Sequence, residues 1–163
     1  MIIGIGGSSR SGKSSLASSL AVALTESKVL SLDHYAFSEI HLPRIRDRFN
    51  WEIPEAYDFD ELIADVEKSR QTYANVIVEG ILIFCESKLT DLIDKRIFLN
   101  ISMSTFASRR RDEERWGAEP DWFIDYVWSS YLKHGQMESP QNYIVLDGEK
   151  PVNMSDLIAA LNL

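Results

Sequence analysis

The sequence predicts a three-layer α/β fold, a central parallel sheet of about five strands with helices on both faces. Three observations predict it. Short β-branched runs alternate along the chain with segments of helical periodicity, the pattern of strand–helix–strand units. The first such run passes through a glycine-rich turn straight into an amphipathic helix. Acidic residues stand directly after two of the apolar runs, at the edge where an open α/β sheet binds its ligands.

Taken in order, Met1–Gly6 reads as a buried strand, and Leu16, Leu20 and Leu24 recur every four residues as the apolar stripe of a helix. Lys28–Leu32 is the second strand. Asp58 stands three residues before Glu61, a capping-box spacing, ahead of Leu62, Ile63 and Val66. Val76–Val78 and Arg96–Ile101 are the third and fourth strands. Pro120 opens a long aromatic helix through Trp122, Phe123, Tyr126, Val127 and Tyr131. Asn142–Leu146 is the fifth strand, and Asn153 caps a final helix that packs Leu157, Ile158 and Leu161 on the sheet.

Two stretches show no period: residues 34–50, and a segment after Arg111 around Trp116-Gly117. Long irregular stretches in compact domains are functional or mobile. The first is expected to form a substrate-side loop, and residues 108–120 a small lid region. With no repeat, low-complexity tract or Pro/Gly/Ser-rich linker, residues 1–163 are expected to form a single domain.

The charge balance narrows the partners. Seventeen basic and 25 acidic residues give a net charge of −8, a field that repels nucleic acid and anionic membrane surfaces. No nucleic-acid or membrane partner is expected, and the longest apolar runs fall far short of the ~20 residues that span a bilayer. Cys85 is the one cysteine, so an intramolecular disulfide and a cysteine metal cluster are excluded. Without a leader-like N-terminus, the expected compartment is cytoplasmic.

Gly7-Ser8-Ser9-Arg10-Ser11-Gly12-Lys13-Ser14 fits G-x-x-x-x-G-K-[ST] at every specified position, in the strand–turn–helix context the motif requires. The chemistry is local. Glycines let the backbone wrap an anion, and successive N–H groups at a helix N-terminus, through Ser15, supply positive potential. Lys13 is placed to reach the β- and γ-phosphates of ATP, and the Ser14 hydroxyl to ligate Mg²⁺. The alternative is a flexible Gly/Ser turn, which neither strand nor helix would need to flank. The fold is therefore expected to be of the P-loop NTPase kind.

Asp33 ends Val29-Leu30-Ser31-Leu32-Asp33, and Glu79 ends Val76-Ile77-Val78-Glu79. An acid at such a strand end can help hold Mg²⁺ or accept the proton of an attacking hydroxyl, although either could be a helix cap or a solvated acid. Arg109-Arg110-Arg111 and Arg115 follow the fourth strand in a helical segment. Arg111 and Arg115, four apart, would share a helix face and stabilise the charge of a transferring phosphoryl group, with Arg110 on the nucleotide phosphates. The competing reading is a surface helix paired with Asp112, Glu113 and Glu114. Arg44, Arg46 and Arg48 read as a solvated loop. His34, His41 and His134 lack zinc-ligand spacing, and His34 reads as structural. Asp-x-x-Gly and Asn-Lys-x-Asp are absent, which disfavours a signalling GTPase.

At this point the chain resembles the uridine kinase superfamily of P-loop kinases, and within it most closely the nicotinamide riboside kinases. The resemblance spans nearly the whole chain. It rests on Gly7–Ser14, Ser31-Leu32-Asp33-His34-Tyr35, Asn50-Trp51-Glu52-Ile53-Pro54-Glu55-Ala56, Val78-Glu79-Gly80 and Arg109-Arg110-Arg111 with Arg115. It continues in Val127-Trp128-Ser129-Ser130-Tyr131-Leu132-Lys133 and Tyr143-Ile144-Val145-Leu146-Asp147-Gly148. It implies an ATP- and Mg²⁺-dependent kinase acting on a small riboside, as monomer or homodimer. Asp33 then matches the base for the 5′-hydroxyl, Ser14 and Glu79 the Mg²⁺ site, and Trp51 the aromatic that stacks on the base. Glu52 stands where the family has an aspartate for the ribose hydroxyls, one methylene longer. Arg110 or Arg111 with Arg115 match the lid arginines, and Trp116 a second stacking aromatic. The rivals are a kinase of another small hydroxyl compound, such as a vitamin precursor or sugar, and a non-catalytic ATP-binding module.

Overall fold

The computed structural model describes residues 1–163 except 114–116, 138 and 163. Its main sheet has five parallel strands in the order β2-β5-β1-β6-β7. They are β1 (Ile2–Gly7), β2 (Ser27–Ser31), β5 (Asn75–Glu79), β6 (Lys95–Asn100) and β7 (Ile144–Asp147). The helices are α1 (Lys13–Ala23), α2 (Phe59–Ser69), α3 (Ser87–Leu92), α4 (Met103–Arg111), α5 (Asp121–His134) and α6 (Met154–Leu161). A two-residue hairpin, β3 (Arg44–Ile45) with β4 (Arg48–Phe49), stands apart from the sheet.

The two-residue period of a strand explains the layers. Along β5, Val76 and Val78 enter one core cluster with Ile2, Leu62, Val66, Leu89 and Phe98, beneath α2 and α3. Ile77 between them enters the opposite cluster with Ile3, Ile5, Leu16, Leu20, Leu157 and Leu161, beneath α1 and α6. Buried on both faces, these strands read as continuous apolar runs. A third cluster, with Phe106, Phe123, Ile124 and Val127, joins α4 to α5.

The expected caps form. Asp58 accepts the Glu61 N–H at 2.9 Å, and Asn153 accepts those of Ser155 and Asp156. Pro120 is the N-cap of α5. The fifth strand starts at Ile144 because Pro140–Asn142 form a single 3₁₀ turn.

Two elements depart from the sequence reading. Residues 34–50 contain the hairpin, turned through Arg46 at φ 53°, where a period was absent because two-residue strands are too short to show one. Helix α3 has six residues, under two turns, and leaves no readable stripe.

Candidate active site

The glycine-rich turn forms at the carboxyl end of β1, the central strand, for steric reasons. Gly7 has φ 138°, and a Cβ there would lie 2.3 Å from the Leu99 carbonyl oxygen of the neighbouring strand. Gly12 caps α1 at φ 99°, with no atom within 4 Å of where its Cβ would be. The loop therefore opens a space lined by backbone at the head of an eleven-residue helix.

Lys13 begins α1, and only 7% of it is exposed. Its Nζ donates to the Ser8 carbonyl at 2.7 Å. Burial pushes its pKa down, opposed by the carboxylates of Glu79, Asp33 and Glu52. Among the described residues, the buried hydroxyls of Ser8 and Ser11 have no hydrogen-bond partner. Buried hydroxyls without partners are costly unless a ligand supplies acceptors, so the loop fits a polyphosphate.

The acidic residues come to the same edge. Glu79 ends β5, is buried, and its Oε1 accepts the Ser14 hydroxyl at 3.2 Å. That pairing of a hydroxyl with a carboxylate suits a hard cation with oxygen ligands, its other positions filled by phosphate and water. Asp33 lies one strand further out, exposed, in the single 3₁₀ turn Leu32–Tyr35 that follows β2. Register carries it there, because Ser31 of β2 is level with Glu79 of β5.

Behind the hairpin, Asn50 anchors the next segment. Its Nδ2 donates to the Tyr126 hydroxyl at 2.7 Å, and its Oδ1 accepts the Glu52 N–H. Trp51 projects with 38% of its surface exposed, edge-on to Phe49 at 6.3 Å between ring centroids. Glu52 is buried, its carboxylate 3.9 Å from Arg110. Burial raises its pKa to about 7, with Glu119 and Asp33 adding to the rise and Arg110 and Lys13 opposing it.

The arginines separate sharply. Arg110 is nearly buried and donates from Nη1 to Ser9 Oγ at 3.1 Å. Its Nε and Nη2 form a two-point pair with Glu119, each bond 2.6 Å. Arg109 donates to the carbonyls of Arg10 and Gly148, tying the glycine-rich loop to the end of β7. Arg10 itself pairs with Glu113. Arg111, expected at the phosphates, is exposed and pairs with Asp121 at 2.9 Å, because at the end of α4 it faces away from the loop that Arg110 meets. Helix α4 ends at Arg111. Arg115 and Trp116 lie outside the described residues.

Arg44 and Arg46 are exposed, as a solvated loop requires, and Arg48 is half-buried. The guanidinium carbon of Arg44 lies over Phe49 within the hairpin, while those of Arg46 and Arg48 stack 4.1 and 4.9 Å from the ring centroids of Trp122 and Phe123, which docks the hairpin on α5. Sequence reasoning missed Arg109, Glu119 and the anchoring role of Asn50. The aromatic run at the start of α5 was the one available signal for the hairpin contacts.

No family model matches the chain. A uridine kinase from Chlamydia pneumoniae is 30% identical over 161 residues, spanning 81% of this chain and 71% of that protein. This chain belongs to the uridine kinase superfamily. Nicotinamide riboside kinase 2 from Mus musculus is 28% identical over 172 residues, 92% of this chain and 88% of that one. Among solved structures, shikimate kinase from Bacteroides thetaiotaomicron superposes with a TM-score of 0.64 at 18% identity, over 100% of this chain and 99% of that one. A possible uridine kinase from Bacillus stearothermophilus gives 0.58 at 17% identity, over 90% and 88%. These two likenesses establish the P-loop kinase fold. As a member of this superfamily the protein is a small-molecule kinase that uses ATP. Among the described residues, no helix is long and apolar enough to cross a membrane.

Proposed function

We propose that this kinase transfers the γ-phosphate of ATP to the 5′-hydroxyl of a small riboside. The observation that carries the reading is the single carboxyl edge shared by the Gly7–Ser14 cradle, Asp33 and the Trp51-Glu52 pair. The cradle follows β1, Glu79 ends β5 and Asp33 follows β2, and these three strands are neighbours in the sheet. The acceptor hydroxyl gives its proton to Asp33 as its oxygen bonds to the γ-phosphorus. The bond from that phosphorus to the β,γ-bridging oxygen breaks, and ADP leaves. Lys13 and Arg110 stabilise the charge spread over the equatorial oxygens, held in place before the reaction begins. The loop N–H groups of residues 7–15 and the free hydroxyls of Ser8 and Ser11 receive the phosphates.

Ser14 and Glu79 would hold Mg²⁺, which neutralises phosphate charge when bound. Trp51, exposed beside the hairpin, offers a ring face to a planar base. Glu52 offers a carboxylate to the ribose hydroxyls, and its longer side chain is accommodated by burial against Arg110. Shikimate kinase shares the fold alone, so no second acceptor class is favoured.

The test is Mg·ATP turnover against nicotinamide riboside, uridine and cytidine, with Asp33→Ala beside wild type. Riboside-dependent ADP release that falls by roughly 10² or more in Asp33→Ala, with ATP binding retained, is expected. ATP binding without stimulation by any riboside would refute the acceptor assignment.

A further inference from the structure

The contacts of Arg110 are unequal, and their inequality identifies a residue on which the arginine depends. Two of its three outward edges, Nε and Nη2, are taken by Glu119 at 2.6 Å each. Both side chains are about nine-tenths buried, with exposures of 12% for Arg110 and 8% for Glu119. The ring centroids of Phe106 and Phe123 lie 5.9 and 5.8 Å from the guanidinium carbon. Only Nη1 faces the site. It meets Ser9 of the glycine-rich loop at 3.1 Å and lies 3.9 Å from Glu52 on the acceptor side.

Both contacts have a charged donor, but the Glu119 pair joins two opposite ions through two bonds of 2.6 Å, against a single bond of 3.1 Å to an uncharged hydroxyl, and the two-point ion pair is the stronger. When phosphates arrive, the Ser9 contact is therefore the one exchanged, and the Glu119 pair persists. Glu119 stands nine residues after Arg110, beyond the end of α4 and just before α5, so the pair also ties α4 to the start of α5. A guanidinium on a flexible stem, lacking that partner, would sample many orientations and lose the placement on which transition-state stabilisation rests.

We propose that Glu119 is a positioning residue for phosphoryl transfer, its carboxylate aiming Arg110 Nη1 at the seam between Ser9 and Glu52. The proposal rests on the kinase reading above and adds to it a residue that touches neither substrate. A fork is required of the partner, so Arg110→Lys, a single point charge, should not substitute for arginine.

The experiment compares wild type, Glu119→Gln, Glu119→Asp, Arg110→Ala and the Glu119→Gln/Arg110→Ala double variant. It reads kcat with a riboside, slow ATP hydrolysis without one, the ATP dissociation constant and the unfolding midpoint. Glu119→Gln is expected to lower kcat by about tenfold or more, while ATP affinity, carried by the loop backbone, stays within about threefold. Glu119→Asp should recover part of the loss, and the double variant should be no slower than Arg110→Ala alone. A Glu119→Gln enzyme within twofold of wild type would overturn the proposal. So would losses that add to those of Arg110→Ala, or joint loss of rate, ATP affinity and stability with no recovery in Glu119→Asp. A wild type inactive on every riboside would sink the acceptor assignment instead. Glu119 would then be scored by the same criteria on transfer to water.

Discussion

Replacing Glu52 with Gln should stabilise the protein at pH 8 and do much less at pH 5, the reverse of what is usual for a carboxylate. The side chain is buried, and its folded pKa of about 7 lies above the ordinary 4.5. The folded state therefore binds the proton more tightly than the unfolded chain. Stability linked to this group is fully present below pH 4.5, declines as pH rises through the window from 4.5 to 7, and is lost above it. A rise from 4.5 to about 7 corresponds to roughly 3 kcal/mol in full, most of which accrues between pH 5 and pH 8. The neutral amide removes that dependence, and because the site is buried, solvent screening does little to reduce it. Urea unfolding of both proteins at the two pH values gives the stability difference directly. A growth of that difference by roughly 2–3 kcal/mol at most in favour of Glu52→Gln at pH 8 is expected. A difference independent of pH, or one favouring wild type more at pH 8, would refute the account of Glu52 as an ionised group held at a desolvation cost. The same variant should bind a riboside more weakly, which separates the stability cost of the carboxylate from its use.

Gly7→Ala forces a Cβ to 2.3 Å from the Leu99 carbonyl at a φ of 138°, where β1 and β6 are registered. It should cost roughly 3 kcal/mol or more in urea unfolding and weaken ATP binding; a wild-type midpoint and affinity would contradict the cradle geometry. Arg110→Ala should slow turnover by roughly 10²-fold, whereas Arg111→Ala, which loses only an exposed pair with Asp121, should shift stability by less than about 1 kcal/mol and spare kcat. Equal kinetic losses in the two variants would refute the separation of Arg110 from Arg111.

The elements that sequence made legible are those whose cause is local. Gly7, Gly12, Lys13 and Ser14 announce the phosphate loop because glycine conformations and a helix N-terminus act within eight residues. The apolar runs of β1, β5 and β6 announce a sheet covered on both faces, because each residue's side follows from the two-residue period. Asp58 and Asn153 announce helix starts by hydrogen bonds that close within three residues. Asp33 and Glu79 were legible as strand-end acids, since a strand's carboxyl end is visible in one dimension.

What only the tertiary structure decided depends on residues far apart in the chain. Arg109, Arg110 and Arg111 are indistinguishable as a charge run. Their functions part because one turn of helix aims them respectively at Gly148, at Ser9 with Glu119, and at solvent beside Asp121. Glu52 is singled out in the sequence by the resemblance alone, and its burial is decided only when the hairpin, docked by arginines on the rings of α5, places it against Arg110. Its pKa, the exposure of Trp51 and the dependence of Arg110 on Glu119 arise from desolvation and from charges brought together by folding, and no local pattern of residues encodes either.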